Sequence, residues 1–256
     1  MFVITGGGTG IGAALADCLA TKGQSVLIIG RRDSCLQKTS EQAKNIHYLS
    51  ADVSTQAGCE TIAAHLKDVS KVQGLIHCAG TIQPIKPLKQ MTRDEWYTSL
   101  STNLDPMLFL SQLLADKLNG QRVLSIGSGA AYFPVAGWGG YCVSKAALAM
   151  LTRCWQLECN DIAFASAMPG IIDTDMQALI REAAHMQEDK RAFFLKLKAD
   201  HKLLSPQTVA LFLAWLLIDV DKASFSAQEW DIYDKSHHAS WLVDGYSVPD
   251  LETDNG

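Results

Sequence analysis

The stretch FVITGGGTGIGAALADCLATKG, residues 2–23, decides the fold. It opens as a short apolar strand, turns through TGGGTGIG at residues 5–12, and leaves as a helix. Glycines allow the tight turn and let the backbone approach a phosphate, while the N-terminus of the following helix favours negative charge. The spacing is G-x-x-x-G-x-G (Gly6, Gly10, Gly12) and not the G-x-G-x-x-G dinucleotide fingerprint. Taken alone, the cluster also fits a plain strand–helix turn.

The same alternation continues along the chain. Strands are expected at residues 2–5, 25–30, 46–51, 74–80, 122–127 and 162–170. Helices are expected at 11–23, 34–44, 58–69, 92–118, 141–159 and 206–219. Strands that are apolar on both faces and separated by helices imply a parallel sheet covered on both sides. The expected fold class is α/β: a doubly wound, Rossmann-type parallel sheet in a single domain, with ligand at the C-terminal ends of the strands. One segment breaks the rhythm. Residues 172–204 read as a long, polar, helical insertion near the substrate site, either a lid or a solvated helical pair. The domain is read as 1–235, and the acidic, turn-rich residues 236–256 as a tail or an arm on a partner subunit.

The 256 residues are 48% apolar with a net charge of −5. A sizeable core can form, and the basic stripe of a nucleic-acid binder is missing. No apolar run approaches the ~20 residues of a membrane span, and no signal peptide is visible. The seven cysteines are scattered without a CxxC pair, so the expected setting is reducing and cytoplasmic, without structural zinc. His237 and His238, adjacent and expected to be exposed, are not read as metal ligands. No metal site is expected.

The second strand ends IIGRRD. Dinucleotide binders that prefer NAD place an acidic residue here for the ribose hydroxyls. This chain has Gly30 followed by Arg31 and Arg32, and a guanidinium pairs well with a 2′-phosphate. The expected cofactor is therefore NADP(H). Asp33 is read as the cap of the next helix. Asp52, in ADVS, either accepts from an adenine amino group with Val53 against the ring, or caps a helix.

The fifth strand ends SIGSGAA, with Ser128 near its tip. Tyr141 and Lys145 follow at i and i+4 of one helix and so share a face. Asn103 lies in the preceding long helix. The loop at residues 5–12, Asn103, Ser128, the Tyr141-Cys-Val-Ser-Lys145 run and Pro169-Gly170 with Thr174 together resemble the short-chain dehydrogenase/reductase family, over roughly residues 1–235. The resemblance implies that Ser128 hydrogen-bonds a substrate carbonyl while Tyr141 supplies its proton. It implies that Lys145 holds the nicotinamide ribose and that Asn103 fixes a water in the relay. A tyrosine has a pKa near 10. Bringing it down by ~3 units requires about 4 kcal/mol of phenolate stabilisation, and the Lys145 ammonium and the positive nicotinamide ring of the oxidised cofactor act in that direction. The implied cofactor contacts are Gly6, Gly8, Thr9, Gly10, Ile11, Gly12, Arg31, Arg32, Asp52, Val53, Ala79, Gly80, Tyr141, Lys145, Pro169, Gly170, Ile172 and Thr174. The family's usual NAG after strand four is Cys78-Ala79-Gly80 here, a departure expected to adjust stability and leave the chemistry intact. His77 and Cys78 should point to opposite faces.

Residues 137–151, 169–177 and 225–235 further resemble sepiapterin reductase and bacterial reductases of diketones such as benzil. On that match Asp231 anchors the substrate, against the plainer reading of a surface aspartate at a strand end. Trp138, Met176 and Trp230 are either a wall for a flat, conjugated substrate or core. The resemblance also implies a homodimer or homotetramer built on helices 93–118 and 140–159. The expected activity is NADPH-dependent reduction of a small-molecule ketone or diketone. The alternatives are an NAD(P)-dependent alcohol dehydrogenase and a non-catalytic, cofactor-sensing protein.

Overall fold

The computed structural model describes residues 1–251. Its elements, in chain order, are β1 (Phe2–Thr5), α1 (Gly10–Thr21), β2 (Val26–Gly30), α2 (Asp33–Ser40), β3 (Ile46–Ser50), α3 (Gln56–His65), β4 (Gly74–His77), α4 (Arg93–Asn103), α5 (Asp105–Leu113), α6 (Ala115–Leu118), β5 (Arg122–Ile126), α7 (Gly139–Glu158), β6 (Ala163–Met168), α8 (Asp175–Glu182), α9 (Glu188–Ala199), α10 (Pro206–Ile218), α11 (Lys222–Ala227) and β7 (Trp230–Asp231). The strands form one parallel sheet in the order β3-β2-β1-β4-β5-β6-β7. The winding reverses between β1 and β4. Ligands of such sheets sit at that switch point, outside the strand ends.

Side chains of a strand alternate between faces, and the core divides accordingly. Phe2, Ile4, Val26, Ile28, Ile76 and Leu124 meet α1 and α10 through Leu15, Leu19, Phe212 and Leu213. Val3, Leu27, Ile29, Leu75 and Val123 meet α3, α5 and α7 through Ile62, Leu110 and Leu148. Apolar residues in consecutive positions are thus buried on both sides, the pattern that marks a covered parallel sheet.

The structure corrects several local expectations. The helix expected over 92–118 is three helices. Leu104 leaves helical geometry (φ −120°, ψ −55°) and α5 restarts with proline in its first turn. Pro106 has no N–H to donate and its ring crowds the preceding turn, so the break falls just before it. Asp33 does not cap α2. Arg32 is the N-cap and makes no side-chain cap bond, leaving Asp33 as the first helical residue, where its charge suits the helix dipole. Asp52 does not cap α3 either. Thr55 does, accepting from Gly58 N, while Asp52 Oδ1 closes a local turn by accepting from Ser54 N at 3.0 Å and Ser54 Oγ at 2.7 Å.

Residues 236–242 pack on the domain through buried His237 and Trp241, while Ser236, Ala239 and Ser240 stay exposed. His237 is buried, stacked on Phe212 at 5.3 Å and near Trp215, Trp230 and Trp241. Its Nδ1 accepts from Trp241 Nε1 at 2.8 Å, so Nε2 carries the proton and donates to the Asp231 carbonyl at 3.0 Å. Both nitrogens are engaged within the protein, and no group of three or more potential ligands for a metal ion occurs among the described residues.

His77 makes a second buried histidine with a measurable consequence. Its Nε2 meets Ser111 Oγ at 3.1 Å, and its Nδ1 has no partner. Burial pushes its pKa down to about 3, and His237 is lowered by burial as well. The unfolded chain therefore takes up a proton near pH 6.5 that folded His77 refuses. Stability is full above that pH and falls as pH drops toward 3, by about 1.4 kcal/mol per unit. Urea midpoints should decline between pH 6.5 and 5, and His77→Asn should remove most of the slope. An unchanged slope in the variant would assign it to other groups.

Candidate active site

At the switch point the glycine loop packs tightly against the end of β4. A Cβ on Gly6 (φ +69°) would lie 2.8 Å from Ala79 N and Cα, and one on Gly12 would lie 2.4 Å from the Gly6 carbonyl oxygen. No larger residue fits either place. Thr9, the N-cap of α1, makes no side-chain cap bond. The leading N–H groups of α1 are thus left for an incoming anion. Thr174 closes over the same turn, 3.4 Å from a Cβ built on Gly10.

Thr5 ties the glycine loop to the end of β4 at Cys78. Its hydroxyl accepts from Cys78 N and Ala79 N, both at 3.1 Å. Burial raises the Cys78 thiol to about 12, so it stays neutral. Cys78 packs with the α1–α10 side of the core, whereas His77 faces Ser111 on α5, on opposite faces as expected.

At the end of β2, Arg32 Nη2 donates to Thr9 Oγ1 at 3.2 Å, which lays its guanidinium over the glycine loop. Arg31 Nη1 stands 3.9 Å from Asp52 Oδ2, and Arg31 is 66% exposed. No carboxylate occupies the Gly30 position. Val53 is buried in the core with α3.

The expected catalytic residues converge. Ser128 Oγ accepts from Ala130 N at 3.2 Å and lies near enough to the Tyr141 phenol to pull its pKa down. Lys145 Nζ lies 5.7 Å from the Tyr141 ring centroid and donates to the Ile126 carbonyl at 2.8 Å. A Cβ on Gly80 would be 3.4 Å from Asn103 Oδ1 and 3.9 Å from Lys145 Nζ. Burial pushes the Lys145 ammonium down to about 8.

In the protein alone, burial raises the Tyr141 pKa and outweighs the nearby Ser128 hydroxyl, which pulls it down. The Asn103 amide is fully engaged by protein groups. Its Oδ1 accepts from Thr81 N at 2.8 Å, and its Nδ2 donates to the Thr81 carbonyl and to Ser144 Oγ, both at 2.9 Å. Asn103 therefore staples the loop after β4 to α7. Thr81 and Ser144 escaped sequence reading because a staple of this kind leaves no periodic signal.

The insertion packs on Tyr141. Its two stems are zipped together, Asp173 N to Leu204 O and Leu204 N to Ile171 O, both at 2.9 Å. Ile180 of α8 and Phe194 and Leu197 of α9 join Trp138, Tyr141 and Ile82 in one buried apolar cluster, with Met176 packed against it. Trp138 stacks on Phe194 (5.8 Å, 22°) and meets Tyr141 edge to face (6.0 Å, 86°). Gly137 (φ +85°) leaves room for the insertion, since a Cβ there would be 2.8 Å from the His185 carbonyl oxygen. The apolar spacing of residues 180, 194 and 197 was visible in the sequence, but their partner was not.

Other expected residues lie outside this cluster. Asp231 ends β7, with its Oδ1 accepting from Tyr233 N at 3.0 Å. Trp230 is core, its Nε1 donating to the Phe225 carbonyl at 3.0 Å. Gly170 (φ +78°) is wedged against Leu204, Ile232 and Tyr233, and the side chain of Ile172 is buried in the core.

The sequence profile described as short chain dehydrogenase matches residues 1–185. Benzil reductase ((S)-benzoin forming) of Bacillus cereus is 36% identical over 234 residues, 84% of this chain and 92% of that protein. Sepiapterin reductase of Meriones unguiculatus is 32% identical over 257 residues, 91% of this chain and 95% of that protein. A short chain dehydrogenase/reductase structure from Saccharomyces cerevisiae superposes with a TM-score of 0.87 at 24% identity, covering 94% of this chain and 99% of that one.

Proposed function

The chain belongs to the short chain dehydrogenase family, and from that premise we propose that it is an NADPH-dependent carbonyl reductase acting on a ketone or vicinal diketone. One observation carries the reading: a buried Tyr141 beside Ser128, with the Lys145 ammonium 5.7 Å from its ring. A non-catalytic, cofactor-sensing module has no need of that set.

When bound, the nicotinamide group supplies the hydride. The residues supply the rest. Ser128 donates to the carbonyl oxygen where negative charge develops. Tyr141, kept protonated by its burial, gives its proton to that oxygen. Lys145 favours the phenolate left behind, which returns to phenol on reprotonation. Asn103 holds the loop carrying Gly80 against α7, so that these groups keep their spacing. Arg31 and Arg32 suit a 2′-phosphate, which supports NADP(H) over NAD(H). In this reading Pro169, Gly170, Ile172 and Thr174 border the nicotinamide half of the cofactor, Ile172 through its backbone, and residues 172–204 form a lid over Tyr141. Asp231 is read as the outer anchor of the substrate.

The names of two relatives, benzil reductase and sepiapterin reductase, support a conjugated dicarbonyl-type substrate. The same reading includes a homo-oligomer built on α4, α5 and α7, whose outer faces expose Tyr97, Phe109, Leu113, Val143, Met150 and Leu157. It also includes a cytoplasmic setting, supported by seven free cysteines. The test is oxidation of NADPH by purified protein with benzil, sepiapterin and a simple ketone side by side, NADH serving as second cofactor. Turnover of the dicarbonyls with NADPH preferred is the expected result. An enzyme that only oxidises alcohols with NAD would replace this reading with a dehydrogenase.

A further inference from the structure

Trp138 has an unsatisfied donor. Its Nε1 is buried and has no hydrogen-bond partner. A buried indole normally finds an acceptor, and Trp230 and Trp241 do, at 3.0 Å and 2.8 Å. An orphaned donor costs stability, and such groups in a folded protein are places where a ligand or function accounts for the cost. Trp155 is orphaned too, but it lies fourteen residues from Tyr141 along α7, about 21 Å at 1.5 Å per residue. Orphan status alone therefore does not single out Trp138; its place does. It is edge to face with Tyr141 at 6.0 Å, inside the apolar cluster that the insertion closes. No side chain or backbone carbonyl around the indole accepts its N–H. A tryptophan that served only as a wall would gain nothing from the N–H.

Resting on the carbonyl-reductase reading, we propose that Trp138 Nε1–H is a specificity-determining donor for the second oxygen of a vicinal dioxygenated substrate, an α-dicarbonyl or α-hydroxyketone. The reacting carbonyl takes the Ser128 and Tyr141 hydroxyls. The adjacent oxygen takes the indole N–H on the neighbouring ring. A monoketone offers that donor no second oxygen, so it gains nothing from Trp138 beyond apolar contact. This would favour vicinal substrates over monoketones of the same shape.

The test compares wild type with Trp138→Phe, which keeps an aromatic ring against Phe194 and Tyr141 and removes only the donor and part of the ring area. Benzil and deoxybenzoin, which share two phenyl groups and differ in one carbonyl, are assayed with NADPH. The expected result is a loss of about three- to tenfold in kcat/KM for benzil and less than twofold for deoxybenzoin. The Trp138 indole proton resonance, assigned by its absence in the variant, should move downfield when benzil is added to wild type and stay in place with deoxybenzoin. Equal losses for both ketones, or no movement at saturating benzil, would overturn the proposal and leave the carbonyl-reductase reading standing. A wild-type enzyme that neither binds nor reduces either ketone would overturn both.

Discussion

Tyr141→Phe is expected to lower kcat for a carbonyl substrate by about 10²–10⁴-fold, the usual contribution of a positioned proton donor. That is about 3–5 kcal/mol of barrier. The substitution removes one oxygen and keeps the ring that meets Trp138 at 6.0 Å, so the apolar cluster under the insertion should remain packed. Ser128 keeps the bond from Ala130 N. NADPH affinity and the urea midpoint should therefore stay near wild type while turnover falls. Steady-state kinetics with a fluorescence titration of NADPH separates the two effects. A variant retaining more than a tenth of wild-type kcat would remove Tyr141 as the proton donor. A cellular effect unchanged by the same substitution would favour a cofactor-sensing protein.

Arg31→Asp should raise the NADPH KM by about ten- to a hundredfold, with a much smaller change for NADH. The figure is the loss of a charge-assisted hydrogen bond to a phosphate, about 1.5–3 kcal/mol. The exposure of Arg31 at 66% places the effect toward the lower end, because solvent and salt screen the charge. Replacement also removes the cation that stands 3.9 Å from Asp52 Oδ2. The uncompensated carboxylates then add to the rejection of a 2′-phosphate. Arg32, held on Thr9, remains and limits the loss. The NADPH/NADH ratio of kcat/KM, measured at low and high salt, checks this. An unchanged ratio would remove Arg31 as a phosphate partner and point to the NAD(P)-dependent dehydrogenase alternative.

Legibility varied from residue to residue for physical reasons. Tyr141 and Lys145 were readable because helical periodicity alone puts i and i+4 on one face. Gly6 and Gly12 were readable because a strand cannot pass so abruptly into a helix at van der Waals contact if either carries a side chain. Thr92 and Glu95, by contrast, form a reciprocal capping box that was visible in the letters and went unread. The two-residue β7 was too short to show a period, and its existence rests on pairing with β6. His237 looked like an exposed histidine beside another because nothing in residues 236–242 says that Phe212, 25 positions earlier, would offer its ring.

Two site residues show how much folding adds. Burial raises the Tyr141 pKa in the protein alone, a contribution that the nearness of a lysine in sequence does not reveal. The Asn103 amide is taken by Thr81 and Ser144, partners that its place at the end of a helix does not announce. Charge and hydrogen-bonding capacity belong to the residue, whereas solvation and partners belong to the surroundings that folding brings to it.

By itself the sequence determined the winding of the sheet, the place of the phosphate loop, the basic end of β2 and the shared helix face of Tyr141 and Lys145. All of these follow from local periodicity, backbone sterics and formal charge, which act over a few residues. The tertiary structure alone decided that residues 172–204 cover Tyr141 through Phe194 and Ile180, that Trp138 is left with an unpaired N–H, and that residues 236–242 complete the core. Those outcomes depend on which distant surfaces exclude water from one another, and burial of that kind is a property of the assembled fold.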